Sequence, residues 1–216
     1  MSGIEEMSAF FEKRIDGYDE HMLSEVVGCK EGYKLMAENI PIDAKNLLDL
    51  GCGTGLELDE IFKIRKSISV VGIDLSEAML KRLKGKHPDK DLVLISDDYF
   101  KVDFGKGKFD AVVSFETMHH FTRDEKIKLY KKIKDALKEN AIYIECDYMA
   151  ENDDEESKLL SEREKLLKEN NANAKEYYHI DIPYTFSHQT EMLVAAGFSE
   201  ICKIFKLGGT VMLIAK

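Results

Sequence analysis

Short apolar runs alternate with amphipathic segments from residue 46 onward. The runs NLLDL, SVVGID, DLVLIS, FDAVVSF and AIYIECDYM have the length and the branched aliphatic content of β-strands. The segments LSEAMLKRLKGK and TRDEKIKLYKKIKDALKEN place apolar residues at helical spacing, with Ser76 and Thr122 at their capping positions. Most of the strands are apolar throughout, so the pattern predicts a mostly parallel sheet with helices on both faces.

The two ends of the chain depart from this alternation. The first forty residues show helical spacing in two segments, so two helices are expected there. Residues 151–176 form an acidic helical insertion, and SHQTEMLVAAGF predicts a further helix that ends at Gly197. The runs SEICKIFKL and TVMLIAK flank Gly208 and Gly209, which is typical of a β-hairpin. We therefore predict one domain over residues 1–216, with seven strands, an antiparallel last strand and a small helical cap formed by residues 1–40 and 151–186.

Composition narrows the possible partners. The 216-residue chain carries a formal net charge of −10, which argues against a nucleic-acid partner. Its four cysteines form no CxxC pair, so we expect reduced thiols in the cytoplasm, without a disulfide framework or a zinc site, and no metal ligands are expected in the chain. No apolar run approaches the roughly 20 residues of a membrane span, and the N-terminus lacks the apolar core of a signal peptide. The lysine-rich stretch from Lys126 to Lys138 is interpreted as the solvated face of a helix.

Three glycines follow the first strand at alternate positions, Gly51, Gly53 and Gly55. A phosphate-binding P-loop would require a lysine directly after the last glycine, but the next lysine is Lys63. The dinucleotide-binding fingerprint GxGxxG has one more residue before its third glycine than the GxGxG found here. A purely structural turn and a site for another nucleoside cofactor both remain open at this point.

The order of motifs then resembles a known family. LLDLGCGTG, VVGIDLSEAML, ISDD and FDAVVSFETMHHF follow one another as in the class I S-adenosylmethionine-dependent methyltransferases, and the likeness covers about residues 40–146. The resemblance implies a Rossmann-like, doubly wound α/β sheet, S-adenosylmethionine as cofactor and S-adenosylhomocysteine as product.

The resemblance also implies a set of cofactor-binding residues. Asp74 ends the second strand, where the family acid accepts hydrogen bonds from the ribose hydroxyls; a helix-capping role is the alternative. Asp97, or its neighbour Asp98, corresponds to the acid that binds the adenine amino group. The remaining expected positions lie in the N-terminal helix, the glycine loop and the ends of the second and fourth strands: Tyr18, Asp49, Gly51, Cys52, Gly53, Leu75, Met79, Ser114 and Phe115.

The acceptor is less evident from the sequence. His179 and His119 are candidate general bases, and Tyr148, Tyr178 and Tyr184 are candidate walls of an acceptor site, although ordinary packing under a cap would also explain them. SFETMHH stands where many methyltransferases acting on planar amines have an NPPY-like motif. We therefore expect a small-molecule acceptor and a monomer or homodimer. A tRNA or protein methyltransferase and a non-catalytic cofactor-binding subunit remain alternatives.

Overall fold

The computed structural model describes residues 4–173 and 176–216. Seven strands form one sheet in the order β3-β2-β1-β4-β5-β7-β6, and β7 runs antiparallel to both of its neighbours. The predicted mostly parallel sheet and its closing hairpin are therefore confirmed. The strands are β1 (Asn46–Leu50), β2 (Ser69–Asp74), β3 (Leu92–Ser96), β4 (Phe109–Phe115), β5 (Leu137–Tyr148), β6 (Ile201–Leu207) and β7 (Thr210–Ala215).

Helices cover both faces of this sheet. One hydrophobic core lies between the sheet and helices α6 and α8, and a second lies between the sheet and helices α3, α4 and α5. None of the helices in the described part of the chain is both long and apolar enough to cross a membrane. The helices are α1 (Met7–Arg14), α2 (Tyr18–Ser24), α3 (Cys29–Asn39), α4 (Leu56–Ile64), α5 (Glu77–Lys86), α6 (Arg123–Ala136), α7 (Asp153–Glu169) and α8 (Phe186–Ala195).

The N-terminal region contains three helices where the sequence pattern predicted two. Gly17 and Gly28 precede α2 and α3 with φ angles of 88° and 91°, in the left-handed region that glycine adopts without steric cost. These residues divide the amphipathic pattern into shorter helices. The prediction of two helices was wrong because Gly17 was not recognised as a helix boundary.

Helix α6 ends earlier than predicted, and β5 begins correspondingly earlier. The sequence pattern extended the helix to residue 140, whereas strand pairing starts at Leu137 opposite Phe109. The pairing then shifts register, and Asn140 adopts a φ of 62° within the irregular stretch. Asparagine tolerates this conformation better than most residues, so the bulge is accommodated there.

Lys126 corrects the interpretation of α6 as a helix whose lysines all face solvent. Its side chain is 1% exposed, and its ammonium donates a hydrogen bond to the Gln189 side-chain oxygen at 3.1 Å. The same ammonium lies 5.1 Å from the centre of the Tyr184 ring. Burial is the main cause that lowers the pKa of Lys126, and nearby carboxylates oppose it. Lys126 therefore fixes α6 against α8.

Candidate active site

The glycine loop connects β1 to α4 at the carboxyl edge of the sheet. Gly51, Gly53 and Gly55 have φ angles of 71°, 45° and 75°, so all three use the left-handed backbone conformation. A Cβ on Gly51 would lie 2.6 Å from the Thr117 hydroxyl oxygen. A Cβ on Gly53 would instead have the Gly51 carbonyl oxygen, at 3.9 Å, as its nearest described neighbour. Packing thus requires glycine at position 51, whereas a Cβ at position 53 would meet no described atom closer than 3.9 Å.

Asp74 lies at the end of β2 and holds this loop. Its carboxylate accepts hydrogen bonds from the backbone amides of Gly53 at 2.9 Å and Ser76 at 2.8 Å. Burial raises the pKa of Asp74, and these backbone hydrogen bonds oppose the rise. Asp74 also lines a cavity beside the loop. The side chain that caps α5 is that of Ser76, so Asp74 joins the glycine loop to the residue before this helix and lines the cavity, and its contact with the cofactor stays a prediction.

The inner cavity is the space beside the glycine loop. Seven of the residues predicted to bind the cofactor line it: Tyr18, Gly51, Gly53, Asp74, Leu75, Met79 and Phe115. Its other walls come mainly from the segments after β3 and β4, including Tyr99, Glu116 and Thr117. The enclosed volume is about 60 Å³, well below the usual size of a ligand pocket. Entry of a nucleoside therefore requires movement of the side chains that cover it, among them Phe11, Tyr18 and Tyr177.

Asp49 and Cys52 lie beneath the loop and not among the lining residues of the inner cavity. Both carboxylate oxygens of Asp49 are buried without a hydrogen-bond donor in the described part of the chain. Burial, followed by the nearby Glu57 carboxylate, raises the pKa of Asp49 well above its usual value. The Cys52 sulfur packs against Gly72, where a Cβ would come within 2.8 Å. Direct cofactor contact by either side chain remains a prediction.

Asp97, Asp98 and Ser114 also lie outside the set of residues that line the inner cavity. Asp97 is exposed, and its carboxylate accepts from the Asp98 amide at 2.7 Å. Asp98 is buried and accepts from the Phe100 amide at 2.8 Å. The Ser114 hydroxyl bonds to the Tyr143 hydroxyl at 2.7 Å, within a buried polar network. Their predicted contacts with the cofactor are therefore not visible in these side-chain positions and stay predictions.

A second, outer cavity of about 720 Å³ adjoins the inner one. Four residues line both cavities: Phe11, Tyr18, Glu116 and His120. The outer cavity is also lined by His119, His179 and Asp181. Tyr148 lies in its wall, whereas Tyr178 and Tyr184 are absent from the described lining. Tyr184 instead accepts a hydrogen bond from the Arg123 amide at 2.9 Å.

His119 contacts two carboxylates at the wall of the outer cavity. Its Nδ1 lies 2.7 Å from an oxygen of the buried Asp147 and 3.7 Å from an oxygen of Glu116. Burial lowers the pKa of His119, but Asp147 and the other nearby carboxylates outweigh it and raise that pKa to about 9. Burial raises the pKa of Glu116 to about 7, and His119 opposes this rise.

Two further histidines, His120 and His179, lie close to His119. The buried His120 ring lies with its centre 4.0 Å from that of His119 and 4.9 Å from that of His179. Burial, followed by the charge of His119, lowers the pKa of His120 well below its usual value. His179 stacks on Phe10 with ring centres 3.5 Å apart, and burial lowers its pKa as well. The predicted candidates His119 and His179 therefore face the same cavity.

Several residues of this site were not selected from the sequence. Glu116 follows β4 with a φ of 47°, which is unusual for a residue other than glycine and typical of strained functional sites. Asp147 lies near the carboxyl end of β5, where a parallel sheet collects its functional groups. Asp181 enters from the loop before α8. The acid in SFETMHH and the strand-end position of Asp147 were available signals, whereas the approach of Asp181 depends on tertiary structure.

Comparison with known proteins identifies the family. Residues 47–140 match the family model described as a methyltransferase domain. A carboxy-S-adenosyl-L-methionine synthase of Nautilia profundicola is 30% identical over 235 residues, which cover 98% of this chain and 95% of the relative. A protein of the same name from Campylobacter fetus is 29% identical, over 84% of this chain and 80% of its own.

The solved structure of the DhpI–SAH complex has the same fold. Its TM-score is 0.72 at 15% identity, with coverage of 96% of this chain and 93% of that one. The strand order and the glycine loop agree with the predicted Rossmann-like architecture, and the similarity to the Nautilia relative extends over almost the whole chain. The chain therefore belongs to the class I S-adenosylmethionine-dependent methyltransferase family.

Proposed function

We propose that this chain methylates a small molecule bound in the outer cavity. The observation that carries the proposal is the contact between the two cavities, which share Phe11, Tyr18, Glu116 and His120 as walls. A volume of about 720 Å³ lies in the usual range for small-molecule sites. An acceptor held there would reach the cofactor through the shared wall, and α1, α2 and the segment around His179 would exclude water from both.

The inner cavity fits S-adenosylmethionine by its chemistry. Asp74 presents a carboxylate for the ribose, Leu75 and Met79 offer an apolar surface for the adenine, and the open side of Gly53 permits close approach. When bound, the cofactor supplies a methyl group that its sulfonium sulfur has already activated. The protein then has to align the acceptor, keep water out and remove a proton where the acceptor carries one.

Glu116 is the proposed proton acceptor. Of the four described residues that line both cavities, Glu116 is the one with a carboxylate. It therefore borders the path between acceptor and cofactor. The Thr210 hydroxyl donates to one of its oxygens at 3.3 Å, and His119 lies near the other at 3.7 Å. The Thr210 hydroxyl also donates to the Val27 carbonyl at 2.8 Å, so its contact with Glu116 is the weaker of the two. His119 and His179, the bases predicted from the sequence, line the outer cavity only and are proposed to orient the acceptor.

Synthesis of a carboxylated S-adenosylmethionine is the second candidate. It is favoured by the near full-length similarity to proteins named carboxy-S-adenosyl-L-methionine synthase. A carboxyl donor would require a cationic partner. Lys13, Arg14 and His119 are cationic groups that line the outer cavity, but Lys13 and Arg14 are paired with Glu5, at 2.8 Å and 3.0 Å, and His119 is paired with Asp147 at 2.7 Å. The methyl-transfer proposal therefore comes first.

One experiment separates these possibilities. The protein is incubated with S-adenosylmethionine carrying a labelled methyl group and with fractionated cell extract, and products are analysed by mass spectrometry. Labelled small molecules would support the proposal, and a cofactor heavier by a carboxyl group would support the second candidate. Labelled tRNA or protein would show that the acceptor is a macromolecule and not a small molecule. Absence of any product despite S-adenosylhomocysteine binding would indicate a partner subunit.

We also propose a cytoplasmic location and a monomer or homodimer. Support for the location comes from the cysteines, which are free thiols, three of them buried. Size-exclusion chromatography with light scattering tests the oligomeric state, and cell fractionation tests the location.

A further inference from the structure

Side-chain atoms of three residues, His119, His120 and Asp181, converge in the outer cavity. Asp181 Oδ1 lies 3.4 Å from His120 Nδ1 and 3.6 Å from His119 Nε2. All three atoms lie within 4.8 Å of one another. Both His120 Nδ1 and Asp181 Oδ1 are buried, and apart from their contact with each other at 3.4 Å neither atom makes a hydrogen bond with the described residues. Leaving two buried polar atoms unpaired is costly, so a partner is expected between them.

We propose that His119 Nε2, His120 Nδ1 and Asp181 Oδ1 bind a divalent transition-metal ion of the zinc type. Two imidazoles and one carboxylate form a common ligand set for zinc sites that keep a position open. Metal–ligand distances of about 2.0–2.2 Å in tetrahedral geometry imply ligand atoms about 3.3 Å apart. The separations of 3.4 Å and 3.6 Å are close to that value. The third separation, between His119 Nε2 and His120 Nδ1, is no more than 4.8 Å, so the two rings would close on the ion as far as this distance requires.

The surroundings of His119 support this assignment. Its other ring nitrogen, Nδ1, lies 2.7 Å from Asp147, whose side chain is 1% exposed. A carboxylate behind a ligating histidine is the usual outer-shell arrangement, because it fixes the ring and leaves Nε2 free to bind the ion. Asp147 is therefore a positioning residue for the metal.

Asp181 is brought to the histidines by the backbone. The amide of its neighbour Ile182 donates to the His119 carbonyl at 2.7 Å, and the His179 amide donates to the Glu5 carbonyl at 3.0 Å. These hydrogen bonds hold the segment 177–182 over the 3₁₀ turn Met118–His120. The ligands thus come from two chain segments that are fixed to each other before any ion binds.

The open position of the ion would face the outer cavity, because His119, His120 and Asp181 all line it. The ligand expected there is an oxygen or sulfur atom of the acceptor. A hydroxyl or thiol suits this position, since a bound divalent ion makes such groups more acidic. This part rests on the proposed function, whereas binding of the ion itself does not.

The test measures metal binding without reference to activity. Chelator-treated protein is titrated with Zn²⁺ by calorimetry, and with Co²⁺ by visible absorption, whose intensity distinguishes four-coordinate from six-coordinate ions. One tightly bound ion per chain with four-coordinate Co²⁺ absorption is expected. No binding, or binding only of six-coordinate Co²⁺, would overturn the proposal.

Three variants locate the ion. Asp147→Asn should weaken Zn²⁺ binding about 10- to 100-fold, as for other outer-shell partners, and Asp181→Asn should weaken it more. The matched control is His188→Gln, because Asp153, Glu156 and His188 form another cluster of possible ligands. A loss in His188→Gln with full binding in Asp181→Asn would contradict the assignment. S-adenosylhomocysteine binding should persist in Asp181→Asn, which shows that the variant is folded and separates this test from that of the proposed function.

Discussion

Asp74 contributes to the loop in the ligand-free protein as well as to the inner cavity. Replacing it with asparagine should weaken S-adenosylhomocysteine binding by about 1.5–3 kcal/mol, the scale of hydrogen bonds to a charged group. The free energy of unfolding should also fall by about 1 kcal/mol, because the Gly53 and Ser76 amides lose a charged acceptor.

Calorimetry and urea denaturation measure these two effects. The control is Asp89→Asn, since Asp89 is an exposed residue outside both cavities. Unchanged affinity together with lower stability would show that Asp74 only supports the backbone of the glycine loop.

Glu116 is the residue on which proton removal depends in the proposed mechanism. Glu116→Gln should lower kcat by about 10²- to 10⁴-fold for a hydroxyl acceptor, because the amide cannot take the proton. KM should change much less, since glutamine keeps the size and one carbonyl oxygen. Steady-state kinetics with the acceptor found by the screen measure both constants, with the exposed α7 residue Glu164→Gln as control. A normal kcat in Glu116→Gln would show that another group removes the proton from the acceptor.

A comparison of Gly53 with Gly107 separates loss of cofactor space in the inner cavity from strain in the backbone. Gly53 and Gly107 have similar φ angles, 45° and 59°, and a Cβ at either position meets no described atom closer than 3.9 Å. Alanine at each position should therefore cost about 1–2 kcal/mol in stability. Only Gly53 lines the inner cavity, so S-adenosylhomocysteine affinity should fall in Gly53→Ala and not in Gly107→Ala. Equal affinities in both variants would place the ligand away from the loop.

Element types were largely predictable, because apolar strands and capped helices carry local signals. Ser76 and Thr122 cap α5 and α6 as predicted, and Gly208 lies in the turn of the closing hairpin. Element boundaries that depend on pairing with a distant strand were missed. Strand β5 begins at Leu137, for example, because that residue pairs with Phe109 of β4. Burial of Lys126 was missed for the same reason, since its partner Gln189 is 63 residues away.

The candidate site shows the same division between local and distant information. Gly53, Asp74 and Met79 could be selected because the family motif fixes their positions, and the structure brings them to one cavity. Glu116 offered a local signal, because it lies three residues before His119, whereas Asp181 escaped selection because the histidines it approaches are distant in sequence. A motif therefore predicts where the cofactor is expected, whereas the acceptor side depends on how the chain ends fold over it.

Helix α1 and the segment 176–182 form one unit beside both cavities. The Met7 amide donates to the Tyr177 carbonyl at 2.9 Å, Glu6 and Tyr178 form a β-bridge, and Phe10 stacks on His179. Of the described residues that line the cavities, none belongs to α7. The predicted cap over residues 1–40 and 151–186 is therefore expected to act through its N-terminal part and this segment, and not through the acidic helix.

This arrangement predicts coupled protection from hydrogen exchange. The inner cavity, at about 60 Å³, must open to admit the cofactor, so the unit should open in the free protein and be held closed by bound ligand. S-adenosylhomocysteine should slow amide exchange in residues 10–25 and 176–186 together with residues 51–55, as measured by mass spectrometry. Residues 153–169 of α7 serve as the internal control and should exchange at an unchanged rate. Protection confined to the glycine loop and Asp74 would mean that the N-terminal unit does not close on the cofactor, and the assignment of the outer cavity to the acceptor would lose its basis.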